Sequence, residues 1–320
     1  MRFNPNSSWA DSQYRKEQYH QLYQRQCIRQ ELLGRFNQSV EWEDGIGYFP
    51  IRFFRDFRLS NQTDPSIIFT SSGTGGEKSS QHYVDDVEIY HSSLMAGFKY
   101  FYPDLEQCGV KILALLPSYL ERSGSSLVYM VQHWMNQFGL PGSGFYLDDF
   151  KGLEQSIWKG VSDQVPILII GVSFALIDFV AQIEKPFPPE IIIMETGGMK
   201  GRRKEISRKE LHTILKGKSG VTQIHSEYGM TELLSQAYSA GEGRFFTPPW
   251  MEVSICDINN PFRKLGFGRT GRIRIIDPAN ENSCAFILTD DIGRMGGDGS
   301  FEVLGRADFA EIRGCSLLYA

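Results

Sequence analysis

The sequence predicts an α/β fold: a parallel sheet with helices on both faces, followed by a smaller β-rich region. Three observations carry that expectation. Short, continuously apolar runs recur between stretches of helical spacing, the pattern of strands buried on both faces. The helical stretches stop near residue 245, and MEVSICDI, GRIRIID, AFILT and SFEVLGR then alternate with Gly- and Asn-rich turns, as antiparallel strands do. The chain has 320 residues, 41% of them hydrophobic, enough for one large domain or two ordinary ones.

Taken in order, residues 12–36 are polar and aromatic at helical spacing and predict an N-terminal helix. SIIFT (66–70) reads as a strand before a helix around 84–101, and KILALLP (111–117) as a strand before a helix around 125–138. PILII (166–170) precedes a helix around 173–184, and EIIIMET (190–196) precedes one around 206–216, where Ser207 and Glu210 have capping-box spacing. VTQIH (221–225) is the next strand. No internal repeat and no low-complexity segment interrupts this order.

Several function classes are disfavoured by composition. A net charge of −5 argues against a general affinity for nucleic acid, and the basic run RRKEISRKELHTILKGK (202–218) reads as a solvated helix face. The opening MRFNPNSSWADSQYRKEQ is too polar for a signal peptide. The apolar run VPILIIGVSFALIDFVAQI (165–183) contains Gly171, Ser173 and Asp178, so it reads as strand, turn and helix and not as a transmembrane segment. The five cysteines, Cys27, Cys108, Cys256, Cys284 and Cys315, are odd in number and form no CxxC pair, which points to a reducing, cytoplasmic compartment.

Two stretches bear directly on chemistry. FTSSGTGGEKSS (69–80) follows a strand, and its glycines, hydroxyls and amides could surround phosphate oxygens or form a flexible turn. A Walker A loop needs Gly where Glu77 stands, and the dinucleotide fingerprint needs Gly where Lys78 stands. GVSFA (171–175) is close to the G-x-S-x-G nucleophile elbow, with Ala175 in place of the last Gly. A serine hydrolase or acyltransferase would use Ser173 with His212 or His225 downstream; His82 and His133 belong to no motif.

SSGTGGEK, METGGMKGRRKE (194–205), HSEYGMTELL (225–234) and LTDDIGRMGGDGSFEVLGR (288–306) occur in that order, and the series resembles the adenylate-forming enzymes. These are the acyl-CoA synthetases, luciferases and peptide-synthetase adenylation domains. The closer resemblance is to the acyl-protein synthetase family, which includes the fatty-acid ligases of bacterial bioluminescence. It is carried by LPSYLERSGSSLVYM (116–130), ETGGMKGRRKEISRKELH (195–212), SEYGMTELLSQAYS (226–239) and LGRADFAEIRGCSLL (304–318), and runs from roughly residue 40 onward.

The resemblance implies the large domain of an adenylate-forming enzyme: an α/β body over 1–245, a β-rich subdomain over 246–305 and a tail over 306–320. The small C-terminal domain of those enzymes, which carries a lysine used in adenylation, has no counterpart, so Lys78, Lys200 or an arginine of GGMKGRR would have to supply positive charge. ATP and Mg²⁺ are the implied cofactors and a carboxylic, fatty acid the implied substrate. Ser71, Ser72, Gly73, Thr74, Gly75, Gly76 and Lys78 would hold the β- and γ-phosphates, and Thr231 would meet the α-phosphate. Glu232, as a solvent-facing carboxylate, would bind Mg²⁺. Tyr228 and the Gly197–Gly198 turn would flank adenine, Asp291 would accept the ribose hydroxyls, and Arg306 would lie near ribose and phosphate. Tyr119 and the helix over 125–138 would border the acyl pocket. Cys315, beside Arg313, falls where the family carries the cysteine that receives the acyl group, for delivery to a reductase or acyltransferase; Cys27, Cys108, Cys256 and Cys284 would be bystanders. Acyl transfer to CoA or a carrier protein, a degenerate adenylate-binding module, and the Ser173 hydrolase remain as alternatives.

Overall fold

The structure, a computed structural model, describes residues 2–29, 45–60, 62–71, 79–117, 123–197 and 206–307. In chain order the elements are α1 (Ser12–Arg29), β1 (Phe49–Pro50), α2 (Phe53–Asp56), β2 (Ile67–Thr70), β3 (Gln81–Val84), α3 (Val87–Phe101), α4 (Pro103–Cys108), β4 (Lys111–Leu115), α5 (Ser126–Phe138), β5 (Gly144–Phe145) and α6 (Phe150–Ser162). They continue with β6 (Ile167–Val172), α7 (Ser173–Val180), β7 (Ile192–Thr196), α8 (Arg208–Ser219), β8 (Ile224–Tyr228), β9 (Ala237–Ser239), β10 (Glu252–Cys256), β11 (Thr270–Ile276), β12 (Phe286–Met295) and β13 (Phe301–Arg306).

The central sheet has the order β5-β4-β6-β7-β8-β9; its first five strands are parallel and β9 is antiparallel. Its apolar runs are continuous because both faces are covered. Ile112, Ala114, Leu168, Ile170 and Met194 pack with α3 and α5 residues such as Leu94, Phe98, Val131 and Trp134. Alternate residues Leu113, Leu115, Ile169 and Ile193 pack on the other face with Leu153, Ile157, Leu176, Leu211 and Leu215 of α6, α7 and α8. Helix starts are fixed by side-chain caps: Asp86 accepts from Glu88 N, Ser125 from Val128 N, Asp149 from Gly152 N and Ser207 from Glu210 N. α8 stops at Gly220, whose φ of 81° suits only a residue without a Cβ penalty.

Two expectations need correction, and one helix is additional. SIIFT does not join the parallel sheet: β2 pairs antiparallel with β3 in a separate ribbon. Only Phe69 of its apolar residues is fully buried, while Ile68 is exposed, so the run is one-sided despite its composition. The helix expected over 173–184 ends at Val180. A further helix, α6, arises from FKGLEQSIWKGVS, where the Asp149 cap and buried Leu153, Ile157 and Gly160 mark one face.

The second sheet contains β10, β11, β12 and β13 in antiparallel pairs, and β1 adds to β12 in parallel register at Phe49↔Ile287 and Pro50↔Leu288. Contacts cross residue 245 in several places. Tyr19 donates its hydroxyl to Trp250 O at 2.8 Å, and Gln26 both donates to Asn280 O and accepts from Ala285 N, each at 3.1 Å. Among the described residues, no helix is long and apolar enough to cross a membrane.

Candidate active site

Ligands of open α/β sheets bind outside the carboxyl ends of the strands. Here those ends are Thr196 of β7 and Tyr228 of β8, and the second sheet meets them through Asp291 and Arg306. Tyr228 donates its hydroxyl to Asp291 Oδ2 at 2.8 Å, and Arg306 Nε lies 3.3 Å from Asp291 Oδ1. Asp291 and Arg306 are register partners across β12 and β13, so the pair is set by backbone pairing. The Tyr228 ring sits edge-on to Phe301 at 5.5 Å, and burial together with Asp291 pushes its phenol well above the ordinary range. The phenol is therefore a donor, not a phenolate, at any working pH.

The turn after β8 carries Thr231 and Glu232. His82 Nδ1 is 2.9 Å from Thr231 O and Nε2 is 2.8 Å from Ser283 Oγ. A carbonyl can only accept, so Nδ1 bears the proton and the serine donates to Nε2. Burial lowers the His82 pKa to about 4, so the ring is neutral. Asn280 Nδ2 donates to Glu232 O at 2.7 Å. Asp277 then accepts from Leu234 N at 3.0 Å, Ser235 N at 2.9 Å, Ser235 Oγ at 2.6 Å and Ala279 N at 3.1 Å. Glu232 itself is buried, 7% exposed, and not solvent-facing as its motif suggests. Its backbone carbonyl is held from the 277–284 segment between β11 and β12, which the motif does not include.

His82, Asp277 and Asn280 were not singled out as site residues by sequence. Asp277-Pro278 is a recognisable turn signal, but nothing local in sequence says that the turn fastens residues 231–235. Of the other expected residues, Ser71 accepts from Ser80 N at 2.9 Å, so the two serines close the neck of the glycine-rich loop. Ser72, Gly73, Thr74, Gly75, Gly76, Lys78, Tyr119, Gly198, Lys200, Arg313 and Cys315 lie outside the described residues. Gly197 is left-handed at φ 71°, and its carbonyl accepts from Ser173 Oγ at 3.1 Å.

That bond overturns the hydrolase reading of Ser173. Its hydroxyl is buried against a carbonyl, while His212 lies beside Ser226 at 3.4 Å and Glu195 at 3.6 Å, and His225 lies 3.0 Å from Tyr102. Among the described residues, neither histidine hydrogen-bonds Ser173. Cys256 and Cys284 are buried, and burial pushes the Cys256 thiol up to about 11, so it is a poor nucleophile. Cys108 is exposed.

Among the described residues, no group of three or more His, Cys, Asp or Glu could hold a metal unaided. Magnesium usually takes one or two carboxylates and completes its shell with phosphate oxygens and water. A single carboxylate at Glu232 suits that mode.

Superposition on solved structures decides the fold. The chain superposes on ATP-bound MatB from Rhodopseudomonas palustris with a TM-score of 0.52 at 14% identity, covering 75% of this chain and 47% of that one. It superposes on a long-chain-fatty-acid–CoA ligase from Archaeoglobus fulgidus with a TM-score of 0.55 at 15% identity, covering 80% and 54%. The fold is that of the adenylate-forming enzymes. The chain spans about half the length of these adenylate-forming structures. In sequence it is similar to the long-chain-fatty-acid–luciferin-component ligase of Aliivibrio fischeri, 24% identical over 289 residues, which cover 85% of this chain and 74% of the relative. No protein-family model matches the chain.

Proposed function

We propose that the protein activates a carboxylic acid, a fatty acid in the first instance, as its acyl-adenylate. The observation that carries this reading is the Tyr228–Asp291–Arg306 junction beside the turn bearing Thr231 and Glu232. In this reading Asp291 accepts the ribose hydroxyls, Tyr228 and the Gly197–Gly198 turn flank adenine, and Arg306 lies near ribose and phosphate. The loop from Ser71 to Lys78 holds the β- and γ-phosphates. The Thr231 hydroxyl would donate to the α-phosphate, and Glu232 is the residue that would hold Mg²⁺. When bound, magnesium would offset negative charge on the phosphates. A substrate carboxylate oxygen bonds to the α-phosphorus as the bond to pyrophosphate breaks, and the site's contribution is alignment and charge stabilisation. The similarity to the Aliivibrio fischeri ligase supports a fatty acid as the substrate.

The second half-reaction in this proposal loads Cys315. The thiolate attacks the acyl carbon, the carbon–oxygen bond to AMP breaks, AMP leaves with the electron pair, and the thiol proton has gone to solvent. A cytoplasmic reductase or acyltransferase would then take the acyl group from the thioester. Pyrophosphate exchange into ATP, screened over carboxylic acids, tests the first half-reaction; absence of acid-dependent exchange removes it. Cys315→Ser should keep exchange and lose hydroxylamine-labile acyl label. Label retained by the variant would assign the thioester to another cysteine. Exchange without label in the unmodified protein would point to CoA or a carrier protein as acceptor.

A further inference from the structure

Glu227 has no task in the chemistry proposed above. Successive strand residues face opposite sides of a sheet, so where Tyr228 faces Asp291, Glu227 faces the helices on the other side. It is 6% exposed. Thr196, its register partner on β7, donates its hydroxyl to Glu227 Oε2. Glu227 Oε1 lies over Gly229, where a Cβ would come within 2.3 Å of it. The carboxyl thus packs against the first residue after β8 while it is bonded to the end of the neighbouring strand.

The groups around it leave little support for a negative charge. From β7 come the Thr196 hydroxyl and, one position away, the Glu195 carboxylate, which opposes ionisation of Glu227. Tyr238 is its cross-strand partner on β9, and Tyr90 of α3 lies near enough to feel its charge. On the same strand and face, His225 is held neutral by burial, with a pKa of about 4, and bonds to Tyr102. Arg208 and His212 lie on the opposite face with Glu195, Arg208 Nε at 2.8 Å from its Oε1. Among the described residues no lysine or arginine pairs with Glu227. Ionising a buried carboxyl with one donor and no cation is costly, and burial raises Glu227 to about 7.

We propose that Glu227 is a positioning residue for the Tyr228–Glu232 turn and works with its carboxyl protonated. As pH rises through neutrality the proton passes to solvent, the carboxylate seeks water, and its packing against Gly229 and its bond with Thr196 loosen. The catalytic readout of this proposal rests on the adenylation reading; the structural readouts do not.

The test compares the full chain with Glu227→Gln and Glu227→Ala. Hydrogen exchange of the amides from Gly229 to Glu232, corrected for intrinsic rates, should show protection falling between about pH 6 and pH 8.5 in the unmodified protein, and not in the Gln variant, which cannot ionise. Acid-dependent pyrophosphate exchange should stay within about threefold of the unmodified protein in Glu227→Gln near pH 6.5, without its alkaline decline, and fall by about tenfold or more in Glu227→Ala. Equal pH dependence of protection in the unmodified and Gln proteins overturns the protonated state. Unchanged turn protection in the Ala variant overturns the positioning role. If no protein exchanges pyrophosphate with any acid, the adenylation reading fails, and the amide protection still decides this one.

Discussion

At Asp291 one carboxylate meets a phenol from the first sheet and a guanidinium from the second. Asp291→Ala removes the acceptor proposed for the ribose hydroxyls. Hydrogen bonds to a charged group contribute about 1.5–3 kcal/mol each, so the ATP dissociation constant should rise at least about tenfold. Affinity for the acid should change much less, and titration calorimetry with each ligand separates the two; a loss confined to the acid would put Asp291 in the other pocket. Glu232→Gln keeps the shape of a buried side chain and removes its charge. Exchange should drop by about a hundredfold or more, the scale seen when a group stabilising transition-state charge is lost, while the melting temperature stays close to that of the parent. A normal exchange rate in a folded variant would remove the metal role. Tyr228, Thr231, Asp291 and Arg306 stand in short motifs that sequence displays, and the structure brings Tyr228, Asp291 and Arg306 together. His82, Asp277 and Asn280 could not be picked out, because each acts on backbone more than forty positions away, as Asp277 does on Leu234. Only packing brings them there.

At the scale of elements, the parallel strands were legible because burial on both faces writes an uninterrupted apolar run. β2 carries a similar run and forms a ribbon instead, since composition does not record which face is covered. β12 and β13 show how a strand pair can set a site. Their register shifts between Ile292 and Gly293, just beyond the Asp291–Arg306 pair. A Cβ at Gly293 would lie 2.4 Å from Glu302 O and 2.7 Å from Ile273 Cδ1. Gly293→Ala should therefore push the strands apart, costing about 1–3 kcal/mol as overpacking does. It should also weaken ATP binding, although residue 293 has no place in the proposed nucleotide contacts. Chemical denaturation and calorimetry check both; a stability loss with intact ATP affinity would mean that the Asp291–Arg306 pair tolerates displacement of the strands.

For the whole molecule, the N-terminal helix and the second sheet share a core. Tyr23 of α1 packs edge-on to Phe286 of β12 at 5.2 Å, and buried Gln26 pairs with both Asn280 and Ala285. Gln26→Ala removes the acceptor of the buried Ala285 amide, while Asn280 O keeps its bond from Ser283 N at 3.0 Å. A cost of about 1–3 kcal/mol follows, with a lower urea midpoint and an unchanged slope if the molecule unfolds as one unit. A second transition at lower denaturant would instead show the second sheet coming away by itself. The placement of α1 was not legible, because its polar and aromatic surface names no particular partner.

The pairing of Phe49 and Pro50 with Ile287 and Leu288 also sets a timetable. During synthesis the early segment emerges long before the strand it pairs with, and Tyr19, Tyr23 and Gln26 wait equally long for theirs. Closing so long a loop is slow, because entropy is lost before contacts compensate. If the parallel sheet between them folds first, the nascent chain would carry an aromatic helix that still lacks its partner. Exposed apolar surface of this kind invites aggregation and chaperone capture. Yield in the cell should depend on holding those first turns soluble until β12 has left the ribosome.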